Sequence, residues 1–208
     1  MEPFIIGVLL VASVVGLTFI IERGIALRVS KIVPPALESA LDTFRGVEDL
    51  PMLRRICEQH PSILSRLLLL ADQRRSWSKA ENISSIETTA RYEISKLERG
   101  LVVLEIVVGV APLLGLVGTI YGLITLFAGL GETGLGDNNT LARGIAIALN
   151  ATLIGLLTAI PSLVAWSYYN KKIESMAIEL ASLCESFIIR QYHSDQPAEF
   201  ENARQRDA

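Results

Sequence analysis

The chain has 208 residues, half of them hydrophobic and 20% charged, with a formal net charge of −3 and a mean hydropathy of +0.42. The slightly acidic balance excludes a nucleic-acid partner, which requires a basic face. The apolar residues are gathered in blocks: Phe4–Ile21, Ile106–Gly131 and Gly144–Asn170 contain no charged side chain. Each is close to or above the roughly 20 residues that cross a bilayer core, and none carries the polar face of a soluble helix. The expected fold is all-α: a polytopic membrane protein with three transmembrane helices and long helices extending into the cytoplasm.

Residues 1–22 form the first expected transmembrane helix. Glu2 is the only charged side chain before its apolar run, and Ile21-Glu22-Arg23 follows it. With no basic leader and no small-x-small cleavage site, it reads as a retained helix and not a signal peptide. Residues 23–100 read as a cytoplasmic helical region, punctuated by Pro34, Pro35, Pro51 and Pro61, each disfavouring helix at the residue before it. Short amphipathic helices are expected over Leu37–Phe44, Met52–His60 and Ser62–Arg74. From Lys79 to Gly100, Ile83, Ile86, Ala90, Ile94 and Leu97 recur every three or four residues, the signature of a helical stripe. No proline intervenes before the next apolar block, so one long helix is expected to run from the cytoplasm into the membrane.

Residues 101–131 form the second expected span and 132–140 a short periplasmic loop, with Asn139 or Thr140 as the N-cap of the following helix. Residues 141–170 form the third span. Ile173, Met176, Leu180, Leu183, Phe187 and Ile188 continue its helical pattern into a cytoplasmic tail, 171–208, with a disordered polar end from Ser194. Basic residues set the orientation. Arg23, Arg28 and Lys31 follow the first span, Arg91, Lys96 and Arg99 precede the second, and Lys171 and Lys172 follow the third. The opposite side has Glu2, Glu132 and Asp137, with Arg143 as its basic residue. The N-terminus is therefore expected outside and the C-terminus inside; in a bacterial inner membrane, outside is the periplasm.

Conventional sites are missing from the sequence. No Walker loop occurs, Cys57 and Cys184 stand alone, and His60 and His193 lack ligand-spaced neighbours, so neither a metal nor another cofactor is expected and the chain does not read as an enzyme. Specificity lies in the second and third spans. Ala111 and Gly115, then Gly118 and Gly122, form small-xxx-small pairs, and Gly144, Ala148, Ala151, Gly155 and Ala159 make a similar ridge. Such ridges let helix backbones approach closely. Thr119 and Thr152 place hydroxyls inside these apolar runs, where a threonine bonds either to its own helix carbonyl or to something else. Asn150 has four hydrogen-bonding sites and is expected to face another helix or water. Glu105 is a possible titratable group toward the cytoplasmic end of the second span.

The segments APLLGLVGTIYGLI and LARGIAIALNATLIGLLTAIPSLVAW resemble the two pore helices of the MotA/TolQ/ExbB proton-channel family, nearest to its ExbB and TolQ branch. The resemblance covers approximately Phe4 to Tyr192. It implies a homo-oligomeric ring, a pentamer, around a dimer of single-span partners of the ExbD or TolR kind whose membrane aspartate carries protons. The work would reach the outer membrane through a TonB- or TolA-type protein. By resemblance Thr119 and Thr152 match the family's pore threonines, with Asn150 nearby. Several ExbB proteins have a glutamate five residues before the second of these, where this chain has Ile147. The proton carrier is therefore expected from the partner. The alternative is a passive membrane scaffold; a secondary transporter is disfavoured, since three spans hold no internal repeat.

Overall fold

The computed structural model describes residues 2–133 and 138–195, and among them every regular element is helical. In chain order these are α1 (Glu2–Ala26), α2 (Val29–Ile32), α3 (Pro35–Thr43), a 3₁₀ turn (Val47–Asp49), α4 (Leu50–Gln59), α5 (Ile63–Gln73), α6 (Lys79–Glu98), α7 (Leu101–Thr133) and α8 (Asn138–Asp195). Three helices are long and apolar enough to cross a membrane, over Phe4–Ala26, Leu101–Gly129 and Leu141–His193. The chain is an all-α polytopic membrane protein. Of the expected loop 132–140, residues 134–137 lie outside the described residues, and the others belong to the helices on either side, which run on to Thr133 and begin at Asn138. Most of the polar C-terminal end also lies outside the described residues.

Contacts divide the chain into two units, Met1–Ile25 with Arg99–Asn170, and Ala26–Glu98 with Lys171–Ala208. The first contains α1, α7 and the N-terminal part of α8. Its core is Ile5, Leu9, Val107, Ala111 and Ala159, with Leu114 and Ile154 packed against them. Helices α7 and α8 are antiparallel, since Ala111 lies against Gly155, Gly115 against Ala151, and Leu126 against Gly144. Their approach is set by backbone. A Cβ on Gly155 would stand 2.6 Å from the Ala111 carbonyl oxygen, and one on Gly115 would stand 2.9 Å from the Ala151 carbonyl oxygen. Helix α1 joins through the same device, with Gly16 against Ser162 and Gly24 against the Tyr169 hydroxyl, which donates to the Ile20 carbonyl at 2.8 Å. Pro112 and Pro161 lie inside unbroken helices, each removing one backbone donor.

The sequence reading of one helix from Lys79 into the membrane is corrected here: α6 stops at Glu98, and Arg99-Gly100 form a turn before α7. The Arg23 guanidinium occupies the space a side chain at Gly100 would need. Local apolar spacing does not register that contact, because Arg23 is far away in sequence. The expected cap also shifts. Helix α8 begins at Asn138, so Asn139 and Thr140 lie within it, and the residue before it is outside the described range.

The second unit is a cluster of short helices around the end of α8. Ser62 caps α5 by accepting from the Ser65 amide at 3.0 Å, while the Ser65 hydroxyl accepts from the Ser62 amide at 2.7 Å, a reciprocal capping box. Ser78 and Glu81 make the equivalent contacts at the start of α6. Arg190 of α8 donates to the Leu41 and Phe44 carbonyls at 2.6 and 3.2 Å, satisfying the C-terminus of α3. Phe187 packs on Phe44 with ring centroids 5.0 Å apart. The fully buried Asn82 donates to the Ala71 carbonyl and the Tyr192 hydroxyl. Cys57 and Cys184 are free and buried. Burial first, and the nearby Asp72 and Glu58 carboxylates next, push the Cys57 thiol up to about 11.

Two outcomes follow from this packing. Gly155→Leu should cost about 3 kcal/mol or more by overpacking a backbone contact, whereas Gly109→Ala, where a Cβ meets nothing within 4 Å, should stay within about 0.5 kcal/mol. Thermal unfolding in mild detergent reads both. The folded state also favours the neutral Cys57 thiol, so this contribution to stability is complete below the ordinary thiol pKa and declines as pH rises toward about 11. Thiol-reagent labelling mapped by peptide mass should therefore leave Cys57 unmodified at pH 8 until the protein is unfolded.

Candidate functional site: a hydroxyl pair between two apolar helices

Thr119 on α7 and Thr152 on α8 are brought together, their hydroxyls hydrogen-bonded to each other. The close backbone approach at Gly115 and Gly155 makes this possible, since a threonine side chain is too short to span two helices held apart by larger residues. Each hydroxyl also reaches across to the opposite helix. Thr152 donates to the Gly115 carbonyl at 3.1 Å and Thr119 to the Ala148 carbonyl at 3.1 Å. Thr119 is in addition 3.3 Å from the Gly115 carbonyl of its own helix.

These contacts outnumber the available protons. A hydroxyl has one proton and two lone pairs, so two protons are shared among the other hydroxyl and the Gly115 and Ala148 carbonyls. Several donor arrangements are equivalent in kind, and a small rotation of either hydroxyl exchanges them. Both side chains are half-buried. The pair can therefore turn a donor toward an acceptor approaching from outside, at the cost of releasing a carbonyl. Neither hydroxyl gains or loses a proton at neutral pH, so the pair is not itself a titrating carrier. No charged residue occurs within 106–131 or 144–170, and among the described residues no cluster of metal-ligating side chains occurs.

The other residues singled out in the sequence are not all part of this pair. Asn150 is exposed and, two positions from Thr152, lies about 160° away around a helix of 3.6 residues per turn. It shares its side of α8 with Ile147, which is 46% exposed. Glu105 is also exposed, and its fourteen-residue separation from Thr119 places it about 21 Å away along α7. Of the small residues, Gly115, Gly118, Ala148 and Gly155 are buried in the contact of α7 with α8. Gly144 packs on the Leu126 side chain, and Gly122 is buried.

Two polar residues of α8 escaped the sequence reading. Thr158 and Ser162 are buried at 7% and 2% exposure. Their hydroxyls are consumed within α8, by the Ile154 and Thr158 carbonyls at 2.9 and 3.0 Å. Ser162 is the residue that Gly16 of α1 packs against. Their four-residue spacing is the signal that marks this second small-residue face.

The fold and this pair define a class: a multi-pass helical membrane protein with two small-residue helices that enclose hydroxyls but no charge. The chain belongs to the MotA/TolQ/ExbB proton channel family, whose model matches residues 59–182, and within it to the ExbB/TolQ branch. It is 33% identical over 167 residues to an ExbB-like biopolymer transport protein of Synechocystis, an alignment covering 76% of this chain and 63% of that protein. It is 30% identical over 193 residues to the Tol-Pal system protein TolQ of Pseudomonas aeruginosa, covering 86% and 82% respectively. The biopolymer transport protein ExbB of Aquifex aeolicus is 29% identical over 101 residues, covering 49% of this chain and 68% of that protein.

The hydroxyl contact should be measurable as a coupling. In a double-mutant cycle of Thr119→Val and Thr152→Val, unfolding in detergent should show an interaction energy of about 0.6 kcal/mol, with about 1.7 as the upper end for such pairs in membranes. Strict additivity of the two changes would mean that the hydroxyls do not interact in the folded protein.

Proposed function

We propose that this chain is the ring-forming subunit of an inner-membrane proton channel that converts proton-motive force into mechanical work. It acts with a dimer of single-span ExbD- or TolR-type partners, and the work serves outer-membrane transport or envelope maintenance through a TonB- or TolA-type protein. The observation that carries this reading is the Thr119–Thr152 pair, enclosed by uncharged helices in a chain of a proton-channel family. A carboxylate alone in a bilayer costs at least about 2.5 kcal/mol. Rotatable hydroxyls reduce that cost by donating to the ionised form, and they do not trap it as a lysine ion pair would. With Ile147 in place of an acid, the titrating carboxylate is assigned to the partner.

The reading also locates the surfaces between subunits. The ridge of Ala111, Gly115, Ala151 and Gly155 is used within one chain and is not available to a neighbour. Contacts to other copies and to the partner helices must use the apolar faces left exposed, which include Val110, Leu113, Val117 and Ile124 on α7 and Leu149, Leu153 and Leu157 on α8. In a pentameric ring, α7 and α8 face inward and α1, with Leu10, Val14, Leu17 and Ile21 exposed, faces lipid. The N-terminus is periplasmic and the C-terminus cytoplasmic, as the basic residues direct.

Proton flux into liposomes tests the proposal. The ring alone should conduct little, addition of the partner should switch on flux, and aspartate to asparagine in the partner should abolish it. Thr152→Val should lower partner-dependent flux by on the order of tenfold to a hundredfold, the worth of a hydrogen bond to a charged group, while the ring still assembles. Glu105→Gln should have a milder effect. Strong flux from the ring alone, lost on Glu105→Gln, would make Glu105 the carrier and overturn the assignment. Unaltered flux in both threonine variants would rule these hydroxyls out of the path, and absence of flux with the partner present would favour a passive scaffold.

A further inference from the structure

The second unit contains an open cleft of about 530 Å³ that the proton pathway does not use. Its walls come from the end of α1, from α2, from the turn before α5 and from the last turns of α6. Three basic side chains line it, Lys31, Arg66 and Lys96, with His60 beside them, and Glu93 is its one acidic lining residue. Glu93 is buried and engages two of these cations, taking Arg66 at 2.8 Å and Lys96 at 3.0 Å. One carboxylate against three cations leaves an excess of two positive charges. Arg66 and Lys96 keep 59% and 41% of their side-chain surface exposed, so donors remain on both. The Lys31 side chain is exposed, and its ammonium makes no hydrogen bond or ion pair among the described residues.

Two further features give this cleft a ligand class. The N-terminus of α5 opens into it, through Ser62 and Ile63. The Ser62 hydroxyl takes the Ser65 amide, so the Ile63 and Leu64 amides, the first two of the helix, have no intrahelical acceptor and add to a positive helix end suited to phosphate. The remaining wall is apolar, formed by Ala26, Ile32, Pro34 and Leu97. Ala26 is the last residue of the first membrane span, and Leu97 lies four residues before Leu101, where the second begins. Because α1 continues unbroken from its apolar span to Ala26, a ligand held beside Ala26 is one the end of that span can share with lipid.

The geometry points to this cleft as a binding site for the headgroup of an anionic phospholipid. The phosphate is held by Lys31, Arg66 and Lys96 at the N-terminus of α5, and the glycerol backbone lies along the apolar wall at Ala26. Charge complementarity selects an anionic headgroup over a zwitterionic one, because the excess positive charge is offset only by a net negative ligand. This inference stands apart from the proton reading and uses none of its residues.

The test uses the purified full chain in mild detergent, titrated with phosphatidylglycerol or phosphatidylcholine in mixed micelles and, separately, with inorganic phosphate. Thermal shift and native mass spectrometry are the readouts. Phosphatidylglycerol should give a saturable rise in Tm and a retained lipid adduct, and phosphatidylcholine should not. Lys31→Gln removes an ammonium that makes no hydrogen bond or ion pair among the described residues and should weaken phosphatidylglycerol binding about fivefold, the fold-change equivalent to about 1 kcal/mol for one basic residue at a membrane surface. Lys96→Gln should act in the same direction, since Arg66 still satisfies Glu93. Arg28→Gln, a nearby exposed cation outside the cleft, should change binding less than twofold, a margin well inside that same single-charge effect. Equal loss in the Arg28 and Lys31 variants would reduce the effect to diffuse surface attraction and overturn the site. Equal response to both lipids would do the same. An equal shift from inorganic phosphate that competes with the lipid would assign the cleft to free phosphate instead.

Discussion

The backbone contact between Gly115 on α7 and Gly155 on α8 is the constraint from which the membrane unit follows. In a bilayer no hydrophobic force draws helices together, because lipid tails are as apolar as leucine. Association must come from close packing and from hydrogen bonds between helices. The two glycines supply the first by removing every side chain from the crossing, and their virtual Cβ positions at 2.9 and 2.6 Å from opposing carbonyl oxygens show how little space remains. Once the backbones touch, Thr119 and Thr152 supply the second, each reaching a carbonyl of the opposite helix.

That contact also sorts the remaining polar groups by face. Thr152 turns toward α7, Ser162 and Tyr169 toward α1, and Asn150 away from Thr152. The inward hydroxyls are satisfied within the chain, and among the described residues of this unit no buried side-chain polar atom is left without a partner. Asn150 is different. An exposed amide among Ile147, Leu149 and Leu153 sits on a surface that the chain itself does not cover.

Much of this was legible in the sequence because membrane helices are written in coarse signals. Charge-free runs of bilayer length marked the three spans, and α8 continues past Asn170 as the apolar spacing of Ile173, Met176 and Leu180 requires. The small-residue ridges were visible as four-residue spacings, and so were the two threonines. The turn at Arg99-Gly100 was not read from the apolar spacing, and the guanidinium of α1 that fills the space beside Gly100 comes from a distant part of the chain. Ser162 was overlooked because the residue it packs against, Gly16, lies more than a hundred residues earlier. The cationic cleft was equally hidden: Lys31, Arg66 and Lys96 are ordinary surface cations until the chain folds them around Glu93.

By itself the sequence determined that this is a three-span helical membrane protein, where its helices are apolar, and which residues are small enough for contact. These are local properties: hydropathy summed over about 20 residues decides insertion, and a four-residue spacing decides a helix face. Only the tertiary structure decided which ridge meets which, and so that the glycines serve contact within a chain and that Thr119 and Thr152 share their protons with each other. Pairing across α7 and α8 depends on the antiparallel register of two helices, and register is set by many simultaneous contacts that no single stretch of sequence contains.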